Sequence, residues 1–545
     1  MKKTWWKEAV AYQVYPRSFQ DSNGDGIGDL QGLISRLDYI QEMGIDIIWI
    51  CPMYKSPNDD NGYDISDYQD IMDEFGTMAD FDALLAEVHK RGMKLIIDLV
   101  INHSSDEHQW FIESRASKDS DKRDWYIWKD GKDGKEPNNW GSIFGGSAWE
   151  WDEETEQYFL HLFSRKQPDL NWENEDVRTA LYDMVNWWLD KGIDGFRVDA
   201  ISHIKKDLTF SDMPAEEGKD YIQAWSKYMN VEGIMPFLGE LKDKTFANYD
   251  IMTVGEANGV SSEQILEWVN EQDGKFDMIF QFEHLGLWDG NELNVLELKK
   301  VLTRWQHALA EDGWNALFIE NHDKARIVST WGNDQEYWAQ SAKSLATMYF
   351  FMKGTPFIYQ GQEIGMTNVQ FETIEEYNDV SAKNMYRERM ANGDTHEAIM
   401  QDLWQTSRDN SRTPMQWSEE ANAGFTTATP WIGMNPNYTE INVDRQLADE
   451  ASILNYYKAM IRLRKENEAL IYGAYELLLE EDKQVYAYTR TLEGTTFVIV
   501  SNLTAEAASI EALESTIQDA EIVLSNSDSE GLELAPFEAR VYKLV

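Results

Sequence analysis

The chain has 545 residues, with 49 basic against 97 acidic side chains, a net charge of −48 and 22 tryptophans. This charge argues against nucleic acid or an anionic membrane as a partner, and the length predicts one large domain plus one or two smaller ones. The start, MKKTWWKEAV, lacks the apolar stretch of a secretory signal, no segment approaches the roughly 18 uninterrupted apolar residues of a membrane span, and the single Cys51 cannot form an internal disulfide. The simplest reading is a cytoplasmic protein, monomeric or weakly homo-oligomeric.

Taken in chain order, the first strand-like stretch is VAYQVYP (10–16). It is followed by DSNGDGIGDL, which overlays the calcium-loop template: Asp21, Asn23 and Asp25 fall at positions 1, 3 and 5, and Gly26 at the turn. Ile27 offers a carbonyl at position 7 and Asp29 stands at 9. Position 12 is Gly32, so the closing glutamate of a sensor loop is absent. The stretch is therefore read as a fixed Ca2+ brace, structural and not catalytic, ahead of the helix LQGLISRLDYIQEMG; a metal-free acidic turn is the alternative.

Further strands are predicted at 45–50, 94–100, 195–200, 250–256, 278–282, 315–323 and 355–363, nearly continuous in apolar residues as strands buried on both faces should be. Helical patterns lie between most of them, among them DFDALLAEVHKRG, VRTALYDMVNWWLDKG, SSEQILEWVNEQ and NVLELKKVLTRWQHALAEDG. Several end in glycine just past the last apolar turn. Eight alternations predict an α/β fold, a (β/α)8 TIM barrel. Two intervals are too long to be plain connections. One, 104–172, is rich in Trp, Gly, Asp and Asn and reads as a small inserted domain after strand 3, dividing the barrel into 1–103 and 173–469. The other, about 367–420, is a helical insertion after strand eight; beyond it alternating strands form a C-terminal all-β domain, a β-sandwich over 470–545.

Reacting groups in such barrels sit where strands end. Carboxylates stand at four such ends: Asp98, Asp199, Glu256 and Asp323. One acidic residue at a strand end is ordinarily a cap; four in apolar surroundings need partners. Candidates are His103, His322 and Arg197, two residues before Asp199 and so on the same face. Crowded carboxylates beside cations separate their pKa values, which glycoside hydrolysis requires of its acid and its nucleophile.

GFRVDAISHIKK, TVGEANG, DLVINH and FIENHD resemble the four conserved segments of the alpha-amylase superfamily, glycoside hydrolase family 13. KEAVAYQVYPRSF, DNGYDISDY, FGGSAWEWDEET, QPDLNWEN, GTPFIYQGQEIGMTN and RDNSRTPMQW resemble its oligo-1,6-glucosidase and alpha-glucosidase branch, nearly end to end. The resemblance implies Asp199 as nucleophile, Glu256 as general acid and base, and Asp323 as transition-state stabiliser, in a double displacement that retains configuration. It further implies that Arg197 orients Asp199 and that His103 and His322 donate to sugar hydroxyls. Asp64 and Arg412 would close the pocket on the terminal 4-hydroxyl, making the enzyme exo-acting. Tyr63, Phe144 and Phe163 would wall the glucose; Phe280 and Phe282 are read either as entrance walls or as core. The same calcium site is implied. Ala200 follows the nucleophile where α-1,6 enzymes of the branch commonly carry Val, so maltose and short malto-oligosaccharides are expected ahead of isomaltose. Lys324-Ala325 departs from the branch pattern and bears on acceptor binding.

An oligo-1,6-glucosidase, a trehalose-6-phosphate hydrolase with Lys205, Lys206 and Lys324 around the phosphate, and a glucosyl-transferring relative are the enzymatic alternatives. A non-catalytic relative, such as a transporter heavy-chain ectodomain, would lack carboxylates that this chain keeps.

Overall fold

The computed structural model describes residues 2–288, 290 and 293–544. Eight strands form one parallel sheet: β1 (Ala11–Val14), β2 (Ile47–Ile50), β3 (Lys94–Val100), β4 (Gly195–Asp199), β5 (Met252–Glu256), β6 (Met278–Phe280), β7 (Ala316–Leu317) and β8 (Thr355–Tyr359). Their order, β6-β5-β4-β3-β2-β1-β8-β7, is chain order wrapped into a ring, and β6 and β7 meet at the seam. This is the expected TIM barrel. Successive residues divide between two cores, as the period of a strand requires. Ile47, Trp49, Ile96, Val254 and Phe357 pack inside the ring. Ile48, Ile50, Leu95, Ile97 and Val198 pack outward against the helices. Gly195 opens β4 at φ +142, where an added Cβ would lie 1.8 Å from the Met252 carbonyl oxygen, so only glycine lets β4 approach β5 there.

The helices start where the sequence supplies caps. Thr77 and Asp80 form a reciprocal capping box at α3 (Met78–Lys90), and Asn174 and Asn294 accept amide hydrogen bonds at α4 (Glu175–Asp190) and α5 (Val295–Ala308). The first barrel helix, expected as one, is two: α1 (Leu30–Ser35) and α2 (Leu37–Met43). They break at Arg36 (φ −108, ψ 5), whose guanidinium covers Trp417 at 4.0 Å and donates to Gln20 at 2.8 Å. The seventh strand, expected over 315–323, is regular only at Ala316–Leu317. Beyond it the Glu320 carboxylate accepts from Arg326 (2.6 Å) and the Ile327 amide (2.9 Å), bending the chain away from strand geometry.

Between β3 and α4, the short strands Trp128–Lys129, Trp149–Asp152 and Gln157–Leu160 form an antiparallel sheet over a core that includes Trp140, Trp149 and Leu160. A segment after β4 completes it: Ile222–Gln223 pairs in parallel with Trp140–Gly141, and Tyr228 joins the same core. After β8, α6 (Val380–Ala391) and α7 (His396–Thr406) pack around Phe371, Tyr377 and Leu403. Following helix α8 (Ile453–Lys465), strands β9 (Ala474–Leu478), β10 (Val485–Leu492), β11 (Thr495–Asn502), β12 (Glu521–Ser525) and β13 (Ala539–Lys543) form an antiparallel sheet in the order β9-β10-β11-β13-β12. One face, with Tyr486, Tyr488 and Phe497, joins the main core; the other, with Val485, Val498 and Tyr542, packs with a two-stranded ribbon through Ala508 and Leu534. Among the described residues no helix is long and apolar enough to cross a membrane.

Candidate active site

Three of the four strand-end carboxylates converge on one guanidinium. Register sets Arg197 on β4 beside Asp98 on β3, and both follow inward-facing positions of their strands. Arg197, 2% exposed, donates from Nη1 to Asp98 (2.8 Å) and Asp199 (2.6 Å), and from Nη2 to Glu256. The other Asp98 oxygen accepts from Trp49 Nε1 (3.1 Å) and Tyr63 Oη (3.0 Å). Burial pushes Asp98 up to about 6 in spite of Arg197. Asp199 is also raised well above the ordinary carboxylate range, by burial first, with Glu256 and Asp98 adding to the rise and Arg197 opposing it. One cation shared among three acids leaves the site ready to stabilise positive charge. β4 then turns sharply: Ala200 adopts φ +44, and its N–H faces Glu256 Oε2 at 3.3 Å.

The fourth carboxylate stands in a separate cationic setting. Asp323 Oδ1 accepts from Arg412 Nη2 (2.8 Å) and Arg408 Nη1 (3.3 Å). Burial alone would raise its pKa, but His322 first and then Arg408, Arg412 and Arg197 outweigh that and lower it. At neutral pH the arginines supply the positive charge, because burial lowers His322 itself to about 3 and leaves its ring neutral. Its Nδ1 accepts from Gln13 at 2.8 Å, so Nε2 carries the hydrogen; that atom lies 3.2 Å from Asp323 Oδ2 but makes no aligned hydrogen bond. A buried donor is thus aimed at the site with no protein partner. The His322 ring stacks on Tyr63 at 5.2 Å and 8°.

His103 is buried and lowered by burial to about 4. Its Nε2 donates to the Tyr63 carbonyl at 3.1 Å and Asn102 donates to its Nδ1 at 3.1 Å. Phe163 lies 5.2 Å from His103 and 5.6 Å from Phe144, forming a continuous aromatic wall. Phe280 belongs to the barrel interior, whereas Phe282 is half-buried and lines a cavity beside Ala257, next to Glu256.

The Asp64–Arg412 pair does not form. Asp64 is fully buried and its two oxygens accept the Asp59 and Asp60 amides at 2.8 and 3.0 Å, closing a turn. Arg412 holds Asp323 and donates to the His322 carbonyl at 3.0 Å. The pair that does meet is Asp60 and Arg408, at 3.0 Å, with Arg408 also bonded to Asp379 and covering Phe144 at 4.9 Å. Both lie at the start of the stretches DNGYDISDY and RDNSRTPMQW, four residues before Asp64 and Arg412 respectively.

A family model for the alpha-amylase catalytic domain matches residues 13–473. A probable oligo-1,6-glucosidase 3 of Bacillus subtilis is 58% identical over 551 residues, covering 99% of this chain and 100% of that protein. The oligo-1,6-glucosidase of Bacillus cereus is 52% identical over 558 residues, covering 100% of each. The crystal structure of a trehalose-6-phosphate hydrolase from Bacillus licheniformis superposes with a TM-score of 0.94 at 44% identity, over 99% of this chain and 100% of that one. The chain belongs to the alpha-amylase superfamily, glycoside hydrolase family 13, in its oligo-1,6-glucosidase branch. It is a glycoside hydrolase.

Of the three lysines expected around a phosphate, two are engaged elsewhere. Lys205 pairs with Glu173, and Lys206 is buried against Asp169 (2.7 Å) and Asn102 (2.9 Å). Lys324 alone is exposed.

In the Asp21 loop the side chains serve the backbone. Asp21 accepts amides of Asn23 (2.9 Å), Gly24 (2.8 Å) and Gly26 (2.9 Å); Asn23 and Asp25 each accept the amide two residues on, at 2.9 Å. Asp29 caps α1 through Gly32 at 2.6 Å. Among the described residues no three His, Cys, Asp or Glu side chains converge as a metal site. Carboxylates alone therefore do not make the cation site here; the fit depends on Asn23 Oδ1 and the Ile27 carbonyl joining them.

Proposed function

We propose that the protein is a retaining, exo-acting α-glucosidase that releases terminal glucose from short α-1,6-linked oligosaccharides. The observation that carries the linkage is the set of full-length relatives at 46–58% identity named oligo-1,6-glucosidase. Those names favour α-1,6 over the α-1,4 preference expected from Ala200. The exo mode rests on Asp60 and Arg408, whose ion pair closes the pocket beyond Asp323 and the Phe144 wall.

In the proposed reaction a carboxylate oxygen of Asp199 bonds to the anomeric carbon as the glycosidic C–O bond breaks, and the Glu256 proton passes to the leaving oxygen. Water then gives a proton to Glu256 and attacks the same carbon, releasing Asp199 and restoring the α configuration. Asp199 and Glu256 are bonded to the two terminal nitrogens of one guanidinium, which brings a nucleophile and an acid to the same site as double displacement requires. Asp323, kept ionised by two arginines, and the free Nε2–H of His322 would bind ring hydroxyls and stabilise the oxocarbenium-like transition state. Ala200 supports a second reading, preference for α-1,4 links, because its small side chain sits at 3% exposure beside Glu256 and leaves more room for the leaving sugar than Val would. Initial-rate kcat/KM values on isomaltose, maltose and trehalose 6-phosphate decide between them. Isomaltose should lead by at least about tenfold; maltose in front would establish the Ala200 reading.

A calcium brace in the Asp21–Asp29 loop is part of the proposal, with Asp21, Asn23, Asp25, Asp29 and the Ile27 carbonyl as oxygen ligands. When bound, the ion would supply structural charge to the loop and no catalytic step.

A further inference from the structure

The inserted domain and the helical insertion face each other across a cavity of about 600 Å3 that the proposed reaction does not use. Phe144 and Phe163 are among its lining residues, and none of Asp199, Glu256 or Asp323 lines it. Its charge is unusual for a chain of net charge −48: Arg165 from the inserted domain and Lys383 and Arg387 from α6 all border it. None of the three is in an ion pair among the described residues, and Arg387 bonds only to the Asn384 side chain, at 3.2 Å. Two carboxylates also line the cavity. Asp59 accepts the Ser164 hydroxyl, and Glu150, its pKa raised by burial, faces Arg165 without reaching it.

Two buried acceptors in the same wall are unpartnered. His161 is 4% exposed, and its Nδ1 lies 3.0 Å from the Phe163 carbonyl. A carbonyl only accepts, so Nδ1 carries the hydrogen and Nε2 is left as a bare acceptor with no partner. Asn58 Oδ1 is likewise buried without a donor. Leaving such atoms unpaired is unfavourable unless something enters to satisfy them. The cations call for an anion, and the two acceptors call for hydroxyl donors. A ligand carrying both, beside the aromatic faces of Trp149 and Phe144, is a phosphorylated sugar.

We propose that this cavity is a second binding site, for a phosphorylated monosaccharide, formed jointly by the inserted domain and the helical insertion. Asn384 of α6 already donates to the Phe144 carbonyl at 3.3 Å, so a ligand bridging Arg165 to Lys383 fastens together the two segments that wall the glucose pocket. The site does not depend on which linkage the enzyme cleaves.

The test is calorimetric titration and thermal unfolding of the full chain with glucose 6-phosphate, inorganic phosphate and glucose at matched ionic strength. Glucose 6-phosphate should bind saturably and raise Tm, with phosphate at least about tenfold weaker. Lys383→Ala and Arg165→Ala should each weaken glucose 6-phosphate at least about tenfold while leaving isomaltose or maltose turnover unchanged. His161→Ala should weaken glucose 6-phosphate but leave phosphate binding as it was, separating the hydroxyl contacts from the charge. Equal binding of glucose 6-phosphate by wild type and both cation variants would place it in the glucose pocket and overturn the proposal. So would a Tm rise reproduced by potassium chloride at the same ionic strength.

Discussion

Two acidic regions of this chain use the same side chain in opposite ways. At the C-terminal ends of β3 to β5, Asp98, Asp199 and Glu256 share the single guanidinium of Arg197, and burial raises the pKa of Asp98 and Asp199. In the Asp21–Asp29 loop the carboxylates accept backbone amides, and Asp21 is lowered: burial pushes it up, but the Thr426 hydroxyl and three amides outweigh that. The first arrangement holds charge in an unfavourable place for use in a reaction; the second converts charge into backbone geometry. An acidic residue in sequence is thus informative only with its partners, which here are one arginine or a series of amides.

The largest break in the comparison is Asp199→Asn. It should lower kcat by on the order of 10⁴-fold or more while the fold persists, because Arg197 keeps Asp98 and Glu256; kcat and Tm measured on one preparation check both halves. Next is Asp60→Asn, which leaves Arg408 held by Asp379 but removes the acceptor proposed to close the pocket; kcat/KM should fall roughly 10²-fold, and an unchanged value would remove the pair from the substrate site.

A pH profile sharpens the contrast. Asp199, the proposed nucleophile, must be ionised to attack and sits above the ordinary carboxylate range, so the acid limb of kcat/KM should lie above about pH 4. Asp98→Asn removes one of the charges raising Asp199 and should move that limb to lower pH; movement to higher pH would contradict the assigned cause.

In the other region Asp21→Asn should lower stability by about 1–2 kcal/mol, a Tm drop of a few degrees, with kcat/KM unchanged. The sign with pH is opposite to a raised acid. Because Asp21 is depressed in the fold, its contribution is complete above the unfolded carboxylate pKa of about 4 and is lost as pH falls through the lower folded value, so the variant's deficit should shrink at acid pH. The smallest effect is chelation: a calcium chelator should lower the wild-type Tm and leave the Asp21→Asn Tm nearly unmoved, and an unchanged wild-type Tm would favour the metal-free turn.

Most of the architecture was legible in the sequence because strands buried on both faces read as apolar runs with carboxylates at their ends. Arg197 and Asp199 could be assigned to one face by the two-residue period of their strand, and Asp98 and Glu256 to the same end of the barrel by their places at strand ends. What was not legible depends on where loops bring side chains. DDNGYD offers three acids and RDNSR two arginines, and nothing local distinguishes Asp64, which closes a turn, from Asp60, which meets Arg408. The short strand at Ile222–Gln223 has no pattern of its own and exists only because Trp140–Gly141 presents an edge to it. The early end of β7 follows from Glu320 and Arg326 taking over the backbone, a contact between residues six apart that apolar periodicity does not register.

The central claim is that Asp199 and Glu256, held on one guanidinium, perform a double displacement. Proton NMR of the glucose released in the first turnovers of isomaltose tests it most directly. The account predicts α-glucose first, with the β anomer appearing only at the rate of mutarotation; β-glucose as the initial product would contradict it.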